Sequence, residues 1–150
     1  GADLGLAAVA SLQEAKAVDP PALFEEHTDM WARVWAGGVE IRGNVTVAKA
    51  VNASMWNILS AIRVDWPHGL SPGGLATNSY DGRSFWDAET WMFPVVDLFN
   101  PALGASLVQY RVDRLAPAQV RAAQFGASGA QFPWTSTLTG FDTTNQRFNA

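Results

Sequence analysis

The chain has 150 residues and a net charge of −4, with 48% hydrophobic and 16% charged residues. This length suits a single hydrophobic core, and the absence of a basic run argues against nucleic acid as a partner. The lack of cysteine excludes a disulfide framework and a thiolate metal site. No apolar run approaches the roughly 20 residues of a membrane span, so no membrane partner is predicted. The N-terminal LGLAAVASL lacks the basic flank of a signal peptide, which leaves the compartment, secreted or cytoplasmic, open.

Helical periodicity dominates the chain, and capping residues and helix breakers set its limits. The predicted helices are residues 5–17, a helix from Pro20 to the Gly37-Gly38 pair, residues 45–63, a helix from Asp87 to Asn100 that is kinked at Pro94, a helix from Pro101, and one from Pro117 to Gly126. Residues 65–84 break the pattern with four glycines and two prolines, which is typical of a loop, and loops of this length are usually functional or disordered. The sequence therefore predicts an all-α fold with two long loops.

Seven tryptophans make the composition unusual. Trp31, Trp35 and Trp56 recur within helical patterns, so we predict that they fill a core. In residues 80–94, tryptophans lie beside carboxylates, which is the composition of a sugar site, because pyranose C–H faces stack on aromatic rings while the hydroxyls bond to acids. His27 is predicted to be a core histidine. Since His27 and His68 lack metal-ligand spacing, the sequence predicts no metal site, and it carries no cofactor motif.

The stretch YDGRSFWDAETWMFP, residues 80–94, concentrates aromatic and acidic side chains. Asp87 has two interpretations here. It can cap the N-terminus of the following helix, with Glu89 favourable near the positive end of the helix dipole. Alternatively, it lies beside Trp86 at the mouth of a pocket and accepts hydrogen bonds from vicinal hydroxyls. The two interpretations are compatible, since a capping residue can face a pocket.

The segment GLSPGGLATNSYDGRSFWDAETWMFP resembles the signature of glycoside hydrolase family 65. EEHTDMWARVW is similar to the helix that precedes the family's catalytic barrel, and NPALGASLVQYRVDRLAPAQVRAAQFGASGAQFPW to a later helix pair and its Phe-Pro-Trp loop. The residues of these motifs are most similar to the branch of acid trehalases and glucosyl-galactosyl-hydroxylysine glucosidases. The similarity spans roughly residues 20 to 142.

The resemblance implies an (α/α)6 toroid, of the six-hairpin glycosidase type, that hydrolyses α-linked glucosides with inversion. Residues 1–19 are then a lead-in helix and linker, and residues 20–150 the first part of the catalytic domain. By carry-over from the family, Trp86 and Asp87 hold the glucose. The substrate-binding residues implied are Tyr80, Arg83, Trp86, Asp87, Glu89, Phe132, Trp134 and Asp142.

The catalytic residues are expected elsewhere. The family's general acid belongs to a motif of the Gly-x-Asn-Glu-Tyr type that does not occur before Ala150. Twelve helices also need on the order of 200 residues. We therefore expect the rest of the barrel, as a continuation or as a second subunit, to complete the enzyme and to cover an exposed apolar helix face. An α-glucoside phosphorylase of the same family and a non-catalytic carbohydrate-binding module remain alternatives, and the cleaved glucoside is open among trehalose, kojibiose and glucosyl-galactosyl types.

Overall fold

The computed structural model describes residues 4–66 and 68–144, and within these ranges it contains six α-helices, one π-helix and two short strands. The helices are α1 (Leu4–Ala17), α2 (Pro20–Trp35), α3 (Val45–Leu59), α4 (Phe93–Phe99), α5 (Pro101–Asp113) and α6 (Leu115–Gln124), and the π-helix is Ala88–Met92. The strands are β1 (Ser84–Phe85) and β2 (Thr135–Ser136). The predicted all-α class is confirmed. None of the described helices is both long and apolar enough to cross a membrane.

The chain divides into two compact units, residues 1–38 and 39–150. In the first unit, α2 starts after Asp19 with prolines in its first turn, and none of its residues is fully buried. The rings of Trp31 and Trp35 stack at 5.9 Å between centroids, and both residues are only half-buried. The core prediction for His27 is wrong, because this residue is exposed; its ring lies 6.5 Å from the Trp31 ring between centroids, in a T-shaped arrangement.

The second unit has a core to which the segment after α3, helix α4 and helix α5 contribute. Its buried cluster is Ile62, Leu70, Val96 and Leu107, with Ile58, Ala61, Met92, Phe93 and Leu103 packed around it. The helices α4 and α5 approach each other closely at Gly104, where an added Cβ would lie 3.0 Å from the Cα atom of Asp97. A glycine at this position therefore lets the two backbones meet.

Helix α3 begins at a genuine cap and ends earlier than predicted. The Asn44 side chain accepts a hydrogen bond from the Val47 N–H at 3.1 Å, which satisfies one free donor of the first turn. The helix stops at Leu59 instead of residue 63, because the chain turns at residues 60–61 and directs Ile62 into the core. Trp56 is 51% exposed, so its predicted core role is wrong: it lies outside the face that buries Met55 and Leu59.

The later helices keep most of their predicted limits. Asn100 caps α5 by accepting a hydrogen bond from the Leu103 N–H at 3.3 Å. Helix α6 begins at Leu115, two residues before the predicted start, because Pro117 is tolerated in the first turn, where its missing N–H has no helical partner in any case. The chain leaves this helix before Gly126, whose φ of +70° suits glycine.

The irregularity predicted at Pro94 is the change from π-helix to α-helix. The Phe93 N–H reaches the Ala88 carbonyl, a bond across five residues, and α4 continues from Phe93. Pro94 lies in the first turn of α4 and has no backbone N–H. The hydrogen-bond pattern therefore changes at a position where proline could not donate a helical bond. The predicted loop extends to Arg83 among the described residues, and Ser84 begins β1.

The two strands form a short antiparallel ladder that was not predicted. Ser84 pairs with Ser136, and Phe85 pairs with Thr135. Two-residue strands have too little length for an alternating pattern, so the sequence carried no signal for them. This ladder joins the segment just before Trp86 to the segment just after Trp134, and it thereby brings two distant parts of the sequence together.

Candidate carbohydrate-binding site

Three tryptophans form an exposed aromatic cluster at the end of the ladder. The rings of Trp86 and Trp134 lie 5.4 Å apart between centroids at an interplanar angle of 36°. Trp91 meets Trp86 edge-on at 6.1 Å. All three side chains are between 40% and 65% exposed. Broad indole faces that remain open to solvent offer an apolar platform together with N–H donors.

Asp87 does not cap the helix that follows it. Its side chain makes no capping hydrogen bond, and its backbone is already helical at φ −53° and ψ −33°. The Glu89 and Thr90 N–H groups instead both donate to the Trp86 carbonyl at 3.1 Å. An N-cap side chain requires an extended backbone to reach back to the first turn, so the capping interpretation is wrong.

The carboxylate of Asp87 is consequently available for another purpose. Within residues 4–66 and 68–144, no hydrogen bond or ion pair engages this carboxylate. The residue is half-buried and directly follows the exposed Trp86 ring. The two carboxylate oxygens of Asp87 can therefore accept hydrogen bonds from a donor outside the chain.

A cavity of about 320 Å³ lies beside this cluster and collects three of the predicted residues. Tyr80, Arg83 and Trp134 line it together with Phe85 and Thr135. Its volume falls at the lower end of the range for small-molecule sites. The ladder separates it from a second cavity of about 420 Å³ that Ser84 and Ser136 line, because successive residues of a strand face opposite sides.

Arg83 is held by the protein. Its Nη1 atom donates to the Thr143 carbonyl at 2.8 Å, and its Nη2 atom lies 3.6 Å from the Asp81 carboxylate. The Arg83 side chain is 13% exposed. Tyr80 packs its ring edge-on against Phe85 at 5.6 Å. These contacts give the cavity wall a fixed shape.

Glu89 and Phe132, two further predicted residues, both meet Arg111. The guanidinium binds the Glu89 carboxylate through two hydrogen bonds, of 2.6 Å from Nε and 3.0 Å from Nη2. The same guanidinium lies 5.6 Å from the centre of the Phe132 ring. No role was predicted for Arg111, although the Tyr-Arg pair at 110–111 belongs to the motif on which the family resemblance rests.

Asp142 lies outside the Tyr80 cavity. It pairs with Arg121, accepts a backbone hydrogen bond from Thr144 at 2.8 Å, and lines another cavity, of about 210 Å³, with Pro133. Partial burial raises the pKa of Asp142, but hydrogen bonds from Thr144 and the charge of Arg121 outweigh it and bring the pKa below the usual value of 3.8. The structure therefore ties this carboxylate, in its ionised form, to α6.

The described residues contain no group of three or more histidine and acidic side chains that could hold a metal ion. The side chains that line this region present aromatic faces, carboxylates and guanidinium groups. Apolar surfaces and a few hydrogen-bonding groups at one place are the general composition of small-molecule sites.

The chain that carries this aromatic and acidic cluster is mostly helical. The fold matches a solved structure, a putative kojibiose phosphorylase from the human microbiome, with a TM-score of 0.81 at 22% identity. That match covers 91% of this chain and 19% of the other. The predicted fold, part of an (α/α)6 toroid, is thereby confirmed.

The chain belongs to glycosyl hydrolase family 65, because residues 54–150 match the description "Glycosyl hydrolase family 65 central catalytic domain". A protein-glucosylgalactosylhydroxylysine glucosidase of Dictyostelium discoideum is 42% identical over 124 residues, which are 80% of this chain and 17% of the relative. A kojibiose hydrolase of Mucilaginibacter mallensis is 34% identical, with 81% and 18% covered. A nigerose phosphorylase of Lachnoclostridium phytofermentans is 31% identical, with 80% and 16% covered.

The chain spans less than a fifth of the length of these curated relatives. The family predicted from the motifs, a family of glycosidase-like enzymes, is confirmed. The trehalase part of the predicted branch stays a prediction, since the relatives named here act, by their names, on other glucosides.

Proposed function

We propose that this chain contributes the glucose-binding subsite of an inverting α-glucoside hydrolase. The observation that carries the proposal is the pairing of a half-buried Asp87 carboxylate, with no partner among the described residues, and an exposed Trp86 ring beside Trp134. In this proposal the indole faces cover the apolar side of the pyranose. The carboxylate accepts hydrogen bonds from two neighbouring hydroxyls.

The other predicted residues either line the glucose pocket or support it in this proposal. Tyr80, Arg83 and Trp134 form the wall of the glucose pocket, which is consistent with the cavity that they share. Glu89 and Phe132 support the pocket through Arg111. Asp142, which Arg121 holds in a separate cavity, stays a predicted substrate contact.

Inverting hydrolysis needs a carboxylic acid that protonates the leaving oxygen and a second carboxylate that activates water on the opposite face. Glu89 and Asp142, the two predicted site carboxylates besides Asp87, are each engaged by an arginine, and so is Asp81 of the cavity wall. We therefore propose that the acid and the base come from sequence beyond Ala150, either a continuation of the chain or a second polypeptide that completes the barrel. In a native mass measurement, the second case would give a hetero-complex.

The proposed glucose site is tested by titrating D-glucose into the intact protein in a calorimeter. Asp87→Asn should weaken binding about 10- to 100-fold, since a hydrogen bond to a charged group contributes about 1.5–3 kcal/mol. Trp86→Ala should weaken binding as well. The matched controls are Asp29→Asn and Trp56→Ala, which change an exposed acid of α2 and an exposed tryptophan of α3. If Asp87→Asn binds glucose as tightly as Asp29→Asn does, the proposal fails.

Catalysis is tested by supplying kojibiose and trehalose. The intact enzyme should release glucose without added phosphate. If turnover requires inorganic phosphate and yields glucose 1-phosphate, the phosphorylase alternative is correct, an outcome that the similarity to nigerose phosphorylase supports. Glucose binding without any turnover identifies a binding module. Glucose release by residues 1–150 alone would contradict the assignment of the acid to sequence beyond Ala150.

A further inference from the structure

Arg111 contacts both strands of the ladder and the π-helix from one position near the end of α5. Its Nε and Nη2 atoms bind the Glu89 carboxylate, its Nη1 atom donates to the Ser136 Oγ at 3.1 Å, and its Nη2 atom reaches the Phe85 carbonyl at 3.5 Å. The Arg111 side chain is only 13% exposed. All of these partners are at least 22 residues away in the sequence.

These partners bracket the two halves of the candidate site. Phe85 and Glu89 lie on either side of the Trp86-Asp87 pair in the sequence. Phe132, whose ring the guanidinium contacts, and Ser136 lie two residues before and two residues after Trp134. One side chain therefore holds the segment that presents the carboxylate and the segment that presents the opposing indole.

The position of Arg111 is itself fixed by the core. Its neighbour Tyr110 is 1% exposed and donates to the Thr137 carbonyl at 2.7 Å. One turn earlier, Leu107 belongs to the central apolar cluster. The guanidinium thus extends from a rigid helix toward segments that have little regular structure of their own, and a rigid support is what a positioning group requires.

Only arginine provides this set of contacts. The planar guanidinium places two parallel N–H groups on one carboxylate and leaves further N–H groups for other acceptors, while its faces remain free for aromatic rings. Lysine carries the same charge as a single point with no fork. Replacement by lysine therefore keeps the charge and removes the simultaneous grip on both segments.

We infer that Arg111 is a positioning residue for the glucose subsite, which it holds in register by tying the Asp87 segment to the Trp134 segment. This inference rests on the proposed function of that site. It assigns Glu89 to the positioning of the site through Arg111, because both carboxylate oxygens of Glu89 are bonded to the guanidinium.

Arg114 supplies a matched control on the same helix end. Its side chain is 12% exposed, its guanidinium lies 4.6 Å from the centre of the Tyr110 ring, and it donates to the Leu138 carbonyl at 3.1 Å. Among the described residues, it has no bond to the partners that Arg111 holds. A role in stability alone predicts similar consequences when either arginine becomes lysine.

The experiment compares Arg111→Lys and Arg114→Lys in the intact enzyme, with kojibiose kinetics, D-glucose calorimetry and thermal unfolding. We expect Arg111→Lys to lower kcat/KM about 100-fold, the loss that follows a misplacement of about 1 Å. We expect its glucose Kd to rise about tenfold, the equivalent of one charge-assisted hydrogen bond. Arg114→Lys should leave both quantities unchanged, even where the two variants unfold at the same temperature.

Equal activity losses in both variants, or no loss in either, would overturn the inference. If Arg111→Lys does not fold, Glu89→Gln takes its place, because glutamine keeps the shape of the side chain and removes its charge. An unchanged glucose Kd in Glu89→Gln overturns the inference, and a raised Kd supports it. Asp87→Asn separates the two proposals. If Asp87→Asn weakens glucose binding and Arg111→Lys does not, the positioning role of Arg111 fails and the glucose site stands. If Asp87→Asn binds glucose normally, the glucose site and the positioning role both fail.

Discussion

The two ends of α5 are held by different physical means. Toward its start, Leu103 and Leu107 pack into the apolar cluster, and Gly104 lets the backbone approach α4. Toward its end, Tyr110 and Arg111 reach the ladder and the π-helix through directed hydrogen bonds. The first end gains stability from buried area, which depends little on direction, and the second end gains a defined geometry.

The difference shows how one helix can support a core and position a site. Apolar packing tolerates small rearrangements among side chains of similar volume. A bidentate ion pair and a buried hydroxyl bond weaken when the donor–acceptor distance or angle departs from a narrow range. We therefore expect substitutions at the start of α5 to act on stability, and substitutions at its end to act on stability and on glucose binding.

The largest effect is expected at the apolar end. Leu107→Ala should lower the free energy of unfolding by about 2–5 kcal/mol, because it leaves a cavity beside Ile62, Leu70 and Val96. Leu98→Ala is the control, since Leu98 is 76% exposed and its loss should cost no more than about 0.5 kcal/mol. Urea denaturation of the two variants measures the difference, and equal midpoints would contradict the assignment of the core.

A smaller effect is expected at the polar end. Tyr110→Phe removes a buried hydroxyl that bonds the Ser136 Oγ at 2.8 Å and the Thr137 carbonyl, so we expect a loss of about 1–3 kcal/mol. Tyr80→Phe is the control, because that ring is exposed and its hydroxyl has no hydrogen bond in the described structure. If both variants unfold alike, the directed bonds at this end of α5 contribute little to stability.

The smallest effect distinguishes the two candidate caps. Asn100→Ala should cost about 1 kcal/mol, because it removes a genuine cap from α5. Asp87→Ala should change stability by less than about 0.5 kcal/mol, since no capping bond is lost. Chemical denaturation in the absence of sugar tests the pair. A loss at Asp87 as large as that at Asn100 would restore the capping interpretation.

The sequence predicts those parts of the fold that short-range patterns control. The cap at Asn100, the break near Gly126 and the irregularity at Pro94 all follow from the local chemistry of a few neighbouring residues. Trp56 and His27 show the limit of periodicity, because an apolar face is buried only where another element covers it.

The sequence predicts which residue types form the candidate site, but it does not predict the contacts that hold them in place. The residue types around Trp86 and Trp134 indicate sugar binding, and the structure brings these two rings together. The role of Arg111 could not be predicted, since its partners lie 22 to 26 residues away and ion pairs at that separation leave no periodic trace. Asp87 has the residue type of a cap, but the Trp86 carbonyl takes the N–H groups of the first turn and removes that role.

The π-helix has a consequence for the insertions and deletions that this protein can accept. A π-turn holds one residue more than the α-turn it replaces, and such turns are frequent at functional sites. Deleting a single residue between Ala88 and Met92 would restore an α-helical register and rotate Asp87 and Glu89 relative to α4. One residue fewer in this turn would therefore change the direction of the Glu89 carboxylate relative to Arg111.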